Sequence, residues 1–97
     1  MTVARTYFMH AKEGHNATLE TALIALADAV RPIAGCKGVE LLRDLGNERR
    51  FLFIEKWDSE DAHKEGGKSL PKEAFGPVMA VLDGPPDGSW FDYLKAV

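Results

Sequence analysis

The chain has 97 residues and a mass of 10.7 kDa, which is enough for one domain and too little for two hydrophobic cores. Hydrophobic residues make up 45% and charged residues 28% of the sequence, and these proportions exclude a disordered chain. The formal net charge is -3 and no basic stripe is present, so we expect no nucleic-acid partner. We predict one domain over residues 1–97.

The compartment is predicted from three features of the sequence. The N-terminus lacks a basic region followed by an apolar one, so we expect no signal peptide. The longest apolar-rich stretch, residues 21–30, is about half the length of a membrane span, so we expect no membrane partner. The single cysteine, Cys36, cannot form an internal disulfide and favours a reducing compartment. We therefore expect a cytoplasmic protein.

The first half of the chain predicts a strand, a long helix and a second strand. Valine, threonine and aromatic residues dominate Val3–Ala11, as in strands. Asn16–Ala34 carries one apolar helical stripe, with Asn16 placed to cap it and Gly35 placed to end it. The stripe consists of Leu19, Leu23, Leu26, Val30 and Ile33. Gly38–Asp44 is the second predicted strand.

The third strand and a short helix follow. A turn at Gly46-Asn47 leads into Arg50–Trp57, whose centre is apolar on both faces. Such a strand is typical of the middle of a sheet that is covered on both sides. Asp58 or Ser59 can cap a short helix that contains His63 and that the Gly66-Gly67 pair is expected to break.

The last part of the chain predicts one more helix and one more strand. Pro71–Leu82 has a helical apolar stripe, which Pro77 interrupts, so we expect a bent or divided helix. Ser89–Lys95 alternates in the manner of a strand. The order β-α-β-β-α-β is that of a ferredoxin-like α+β fold, with a four-stranded antiparallel sheet and helices on one face.

The uncovered face of that sheet predicts an assembly. The first and third strands are apolar on both faces, and an open apolar sheet face is unfavourable in water. A second copy related by a two-fold axis would cover it. We therefore expect a homodimer.

Several sequence features resemble the antibiotic biosynthesis monooxygenase family, a group of small dimeric α/β-barrel proteins. The segments Val39–Asp44 and Phe51–Ser59 carry the resemblance, together with the Gly35-Cys36 step and the Glu55-x-Trp57 ending of the third strand. The resemblance covers nearly the whole chain and implies the sheet order 4-1-3-2. It implies one of several activities, because the same scaffold hosts cofactor-free quinol oxygenases, haem-degrading enzymes, isomerases and members without a known reaction.

The sequence departs from the family at two positions. Family members often carry a histidine about nine residues after the tryptophan, where this chain has Gly66. Haem-degrading relatives use an asparagine in the first strand, where this chain has Tyr7, and their second-helix tryptophan and histidine are absent too. We therefore do not expect haem degradation.

His63 is the candidate catalytic residue. A histidine titrates near neutral pH and can take a proton from a phenolic substrate. The deprotonated substrate would be electron-rich enough to react with oxygen directly, without flavin or metal. The alternative is a partly exposed helix histidine beside Lys64 and Glu65.

The remaining candidates form a predicted substrate pocket between the sheet and the helices. They come from the strands, the first helix and the second helical region: Tyr7, His10, Asn16, Arg43, Glu55, Trp57, Phe75 and Met79. Which face of the first strand lines the pocket is left open.

Several of these residues also have a structural alternative. Trp57 can be core or dimer interface, and Asn16 can be only a helix cap. Phe75 and Met79 can be a plain core stripe. Glu55 beside aromatic residues needs a partner, and Arg43 on the neighbouring strand is the expected one.

The sequence predicts neither a metal nor an organic cofactor. His10, His15, His63 and Cys36 are scattered, without metal-ligand spacing, and no dinucleotide or ATP motif is present. The leading hypothesis is a cofactor-independent monooxygenase that acts on a small aromatic phenol or hydroquinone. The alternatives are a non-catalytic dimer that binds a small ligand or serves as an accessory subunit, and a small-molecule isomerase.

Overall fold

A computed structural model describes all residues from 1 to 97. The chain forms four strands and three helices, in the order β1 (Val3–His10), α1 (Asn16–Val30), β2 (Cys36–Asp44), β3 (Asn47–Trp57), α2 (Glu60–Lys68), α3 (Lys72–Met79) and β4 (Asp87–Asp92). The strands make one antiparallel sheet in the order β2-β3-β1-β4. This confirms the predicted ferredoxin-like fold and, read from the other edge, the predicted order 4-1-3-2.

The two central strands are β1 and β3, and their register decides which side chains share a face. Tyr7 lies opposite Phe53, and Arg5 lies opposite Glu55. On the other side of β1, Arg5 pairs with Trp90 of β4. Because strand side chains alternate, all five residues belong to the face that the helices cover.

The core lies between that face and α1. Phe51, Phe53 and Trp57 of β3 are almost completely buried, as are Leu19 and Leu23 of α1. The predicted helical stripe therefore packs on the predicted aromatic strand, and apolar burial of this kind is the main stabilising term of the fold.

Helix α1 differs from its prediction at both ends. Asn16 is the first helical residue rather than the cap, which is His15, and no side chain caps this end. The helix ends at Val30 instead of Ala34. Pro32 has no N–H to donate to the carbonyl four residues earlier, so the chain continues in turns, one of them closed by the bond from Ile33 N to Val30 O.

Helix α2 is longer than predicted. Ser59 caps it by accepting a hydrogen bond from the backbone N–H of Ala62 at 3.0 Å. The helix then runs through both glycines to Lys68. The expectation that Gly66-Gly67 breaks it was wrong, because Gly66 lies where the helix packs on Trp57: a Cβ at this position would be 2.8 Å from the indole ring.

The two glycines should respond in opposite directions to the same substitution. Gly66→Ala would place a methyl group against Trp57 and Ile33, and we expect the free energy of unfolding to fall by about 1–3 kcal/mol. Gly67 has no atom within 4 Å of an added Cβ, so Gly67→Ala should raise it by about 0.5–1 kcal/mol through helix propensity. Urea titrations of both variants test this pair, and equal effects would contradict the close packing at Gly66.

The last helix and strand are shorter than predicted. Helix α3 ends at Met79 because the residues after it pair with the segment that follows β1. The backbone N–H of Lys12 donates a hydrogen bond to Val81 O, and Leu82 forms an isolated β-bridge with Ala11. Strand β4 ends at Asp92 because its partner there, Val3, is the first residue of β1. Beyond Asp92 the chain has no strand to pair with.

The second face of the sheet is open in this chain. It carries apolar side chains from all four strands: Phe8, Leu42, Leu52, Ile54 and Phe91. Leu42 is 46% and Phe91 56% exposed. No helix of the structure has both the length and the apolar composition needed to span a bilayer.

Candidate active site

A cavity of about 360 Å³ lies between the covered face of the sheet and the three helices. Its size falls within the range of small-molecule sites, about 300–1,000 Å³. Eleven of its sixteen lining residues are hydrophobic, so the cavity favours an apolar or aromatic ligand. Its polar side chains are Tyr7, Glu55 and His63.

These three polar side chains form one cluster. The Tyr7 hydroxyl lies 3.3 Å from His63 Nε2, within hydrogen-bond distance. Glu55 Oε1 lies 3.6 Å from the same nitrogen and accepts a hydrogen bond from Trp57 Nε1 at 2.8 Å. Since 3.6 Å is too long for a hydrogen bond, the carboxyl group is held by the indole and only borders the imidazole.

Aromatic rings fix the orientation of the imidazole. The His63 ring stands edge-on to Trp57, with centroids 5.4 Å apart and planes at 83°. It stands edge-on to Trp90 as well, at 5.0 Å and 88°. Helix α2, capped at Ser59, presents His63 between these two rings. Such contacts leave the ring few alternative positions.

Burial shifts the pKa of all three groups. The pKa of His63 is lowered from its ordinary 6.5, first by burial and then by the positive charge of Arg5. Burial raises the pKa of Glu55, against the Trp57 hydrogen bond and the charge of Arg5. Burial also raises the pKa of Tyr7. At neutral pH the site therefore holds a neutral imidazole, which can accept a proton, and a protonated phenol, which can donate a hydrogen bond.

The pH dependence of the protein's stability should reflect the raised pKa of Glu55. A carboxyl group whose pKa is raised by folding contributes stability that is full below its ordinary pKa of 4.5. That stability is lost as the pH rises from 4.5 through the pKa that the carboxyl group has in the folded protein. We expect Glu55→Gln, which can still accept the Trp57 hydrogen bond, to gain stability relative to wild type as the pH rises from below 4.5 to neutrality.

Unfolding titrations at several pH values would measure this difference. His63 contributes in the opposite direction in both proteins, because its lowered pKa removes stability as the pH falls through 6.5. A Glu55→Gln curve parallel to wild type at all pH values would contradict the raised pKa of Glu55.

The structure brings together six of the nine residues singled out in the sequence. Tyr7, Glu55, Trp57, His63, Phe75 and Met79 line the cavity. Phe75 and Met79 are 38% and 55% exposed, which places them at its edge rather than in the core. The face of β1 that borders the cavity is the one that carries Tyr7.

The other three lie elsewhere. His10 is exposed and belongs to the opposite face of β1. Asn16 begins α1 and does not line the cavity. Arg43 does not line it either, and the expected ion pair between Arg43 and Glu55 was wrong. Arg43 instead pairs with Glu20 of α1.

The register explains this correction. Glu55 lies opposite Val39, whereas Arg43 lies opposite Phe51, so the two charged residues are separated along the strands. The Arg43 guanidinium lies 5.7 Å from the Phe51 ring centroid. Reading the strands without their register placed the two charges together.

Two residues beside the cluster were not singled out from the sequence. Arg5 lies 4.8 Å from the Tyr7 ring centroid and 5.0 Å from that of Trp90, measured from Cζ. Trp90 also contacts His63. The period-2 alternation that puts Arg5 on the face of Tyr7 was available in the sequence, but the pairing of β4 with β1 was not.

A comparison with protein families gives one match. The family described as antibiotic biosynthesis monooxygenase matches residues 1–69, which is more than two thirds of the chain and includes Tyr7, Glu55, Trp57 and His63. The chain belongs to the antibiotic biosynthesis monooxygenase family. This confirms the resemblance found in the sequence.

Solved structures of this family share the fold at low sequence identity. A proposed antibiotic biosynthesis monooxygenase from Bordetella bronchiseptica is 19% identical with a TM-score of 0.87, covering 97% of this chain and 98% of that one. SnoaB, a cofactor-independent oxygenase from Streptomyces nogalater, is 16% identical with a TM-score of 0.84, covering 99% and 96%. A protein from Caulobacter crescentus is 22% identical with a TM-score of 0.83, covering 97% and 91%. No curated protein matches the sequence.

Gly66 occupies the position at which the family resemblance predicts a histidine. A Cβ at this position would lie 2.8 Å from both Trp57 Cη2 and Ile33 Cγ2, so the indole fills the space a side chain would need. His63 precedes Gly66 by three residues, on the same face of α2. The imidazole of this monooxygenase-family chain thus enters the cavity one helical turn before Gly66.

No three His, Cys, Asp or Glu side chains come together in a group that could hold a metal ion.

Proposed function

We propose that this chain is a cofactor-independent monooxygenase that oxidises a small aromatic phenol or hydroquinone. The observation that carries the proposal is the neutral His63 imidazole beside the Tyr7 hydroxyl, 3.3 Å apart, at the polar end of an apolar cavity. Membership of the family and the fold shared with SnoaB, itself a cofactor-independent oxygenase, support it.

The two groups have complementary roles. Their separation lets one substrate oxygen contact both, so that the substrate hydroxyl donates its proton to His63 Nε2 while the Tyr7 hydroxyl donates a hydrogen bond to that oxygen. The O–H bond breaks and its electron pair stays on the substrate. The resulting anion is electron-rich and reacts with oxygen.

The overall reaction balances without another reductant. The substrate supplies the four electrons and two hydrogens that dioxygen needs. One oxygen atom forms a new bond to carbon, and the other leaves as water. The apolar walls keep bulk water from the anion, which strengthens every electrostatic interaction inside the cavity.

We propose further that the protein works as a homodimer. The open sheet face, which carries Phe8, Leu42, Leu52, Ile54 and Phe91, has no partner within the chain. A second copy packed on it by a two-fold axis would remove this apolar surface from water. The cavity lies on the opposite face of the sheet, so each protomer would keep its own site.

Oxygen uptake by the purified, chelator-treated protein tests the proposed reaction. The substrates are a panel of hydroquinones and anthrone-like phenols of one to three rings. We expect uptake that depends on the protein for at least one of them, without added flavin or metal. A folded protein that consumes no oxygen with any of them would overturn the proposal and favour a ligand-binding or isomerase function.

A matched pair of variants shows whether the cavity is the site. Leu26 of α1 lines the cavity, so Leu26→Trp should fill part of it and lower the uptake at least tenfold through excluded substrate. Ile24 is on the same helix but half exposed, and Ile24→Trp should leave the uptake unchanged. Equal activity in the two variants would place the reaction outside the cavity.

A further inference from the structure

Arg5 carries a positive charge that no carboxylate of this chain neutralises. None of the close contacts between acidic and basic side chains in the structure includes Arg5. Its Nε is buried without any hydrogen-bond partner. Glu55 lies across the strand pair from Arg5, but its Oε1 is engaged by Trp57. A buried N–H group without a hydrogen-bond partner is costly, so a ligand that brings negative charge close to Arg5 would be stabilised.

The position of this guanidinium is fixed by its neighbours. It packs between the rings of Tyr7 and Trp90, at 4.8 and 5.0 Å from their centroids. On a third side it lies over Gly88, where a Cβ would come within 2.6 Å of Nη2. The guanidinium thus occupies the space beside Gly88 that a larger residue there would share with it. Both of the flanking rings also contact His63.

The charge thus lies directly behind the Tyr7–His63 pair. The other two titratable neighbours there, Glu55 and Tyr7, keep their protons more strongly than usual because they are buried. The Arg5 guanidinium, packed against Tyr7 and Trp90, therefore adds a positive charge beside the polar end of the cavity. A positive charge beside the polar end of an apolar cavity fits a flat aromatic molecule with a negatively charged oxygen better than a neutral one.

We infer that the cavity recognises aromatic oxyanions, such as phenolates, and that Arg5 is the residue that determines this specificity. The inference rests on the proposed function, because it concerns the same site and names the ionic form that the substrate takes there once His63 has accepted its proton. Arg5 acts behind Tyr7 and His63, stabilising the negative oxygen and disfavouring a second positive charge on the imidazole. It is a positioning residue rather than a catalytic one.

Binding of a coloured phenol tests the inference without any turnover. The probe is 4-nitrophenol, whose ionised form absorbs visible light, and the neutral comparison is 4-nitroanisole, which has the same ring and no acidic proton. With the full-length protein we expect tighter binding of 4-nitrophenolate than of 4-nitroanisole. We also expect a lower pKa for the bound 4-nitrophenol than for the free compound.

Three variants separate specificity from stability. Arg5→Met should weaken binding of 4-nitrophenolate by about tenfold, the size of one charge-assisted interaction, and leave binding of 4-nitroanisole unchanged. Arg5→Lys should retain much of the preference. Arg43→Met removes the same charge from the same sheet face, away from the cavity, and should behave as wild type.

Two results would overturn the inference. One is a wild-type protein that binds 4-nitroanisole as tightly as 4-nitrophenolate, a measurement that needs no variant to fold. The other is a folded Arg5→Met variant that keeps the full preference for 4-nitrophenolate. If the preference is present and no phenol is oxygenated, the inference stands and the proposed monooxygenase function fails.

Discussion

Replacing His63 with alanine is expected to lower kcat/KM for the oxygenated phenol by about 100- to 10,000-fold, the usual contribution of a positioned general base. The imidazole is the one group in the cavity that is neutral and basic at neutral pH, since its pKa is lowered by burial. The loss should fall on kcat/KM more than on the binding of a phenolate, which needs no proton removal. Steady-state oxygen uptake at several substrate concentrations measures it.

The matched control is His10→Ala. His10 is exposed on the opposite face of β1 and should be replaceable without any change in turnover. A second readout is the pH profile of the wild type, in which kcat/KM should stay high down to a pH below 6.5 and then fall as His63 is protonated. Full turnover by a folded His63→Ala variant would show that another group removes the proton.

Replacing Phe53 with aspartate should unfold the protein, whereas replacing Ile54 with aspartate should dissociate the proposed dimer. Phe53 is completely buried under the helices. Phe53→Asp leaves a cavity and an unpaired buried charge, at a cost of about 5 kcal/mol or more, which approaches the whole stability of a small domain. Ile54 is on the open face, and Ile54→Asp should leave the fold intact and dissociate the proposed dimer.

Circular dichroism and analytical ultracentrifugation distinguish the two outcomes. We expect loss of structure for Phe53→Asp and a folded monomer for Ile54→Asp. The comparison is informative because the two positions are adjacent on one strand and lie on opposite faces of the sheet. A folded Phe53→Asp variant would contradict the core placement, and a dimeric Ile54→Asp variant would contradict the proposed interface.

The fold was predictable because its signals are local and strong. The stripe from Leu19 to Val30 and the apolar strand around Phe53 define a helix and a central strand by their periodicity alone. The ends of the elements were less predictable, because they depend on tertiary partners. The Gly66-Gly67 pair illustrates this: helix propensity predicts a break there, whereas close packing on Trp57 requires the glycine and keeps the helix going.

The site was predictable only in part, since it depends on register. Sequence alternation puts Glu55 and Trp57 on one face, and the structure joins them by a hydrogen bond. Sequence alternation does not show which residue of the neighbouring strand lies opposite. Arg43 was therefore predicted to pair with Glu55, whereas the residue opposite Glu55 is Val39. The neighbourhood of Arg5 was missed for the same reason, because Trp90 reaches it only through the pairing of β1 with β4.

The central claim is that this chain transfers one atom of dioxygen to its substrate without a cofactor. Its most direct test is the mass of the product formed by the chelator-treated protein under isotopically labelled dioxygen. The account predicts one labelled oxygen atom in the product and the other in water, with labelled product formed far more slowly by the His63→Ala variant. A quinone without label, accompanied by hydrogen peroxide, would instead reveal a simple two-electron oxidation and contradict the account.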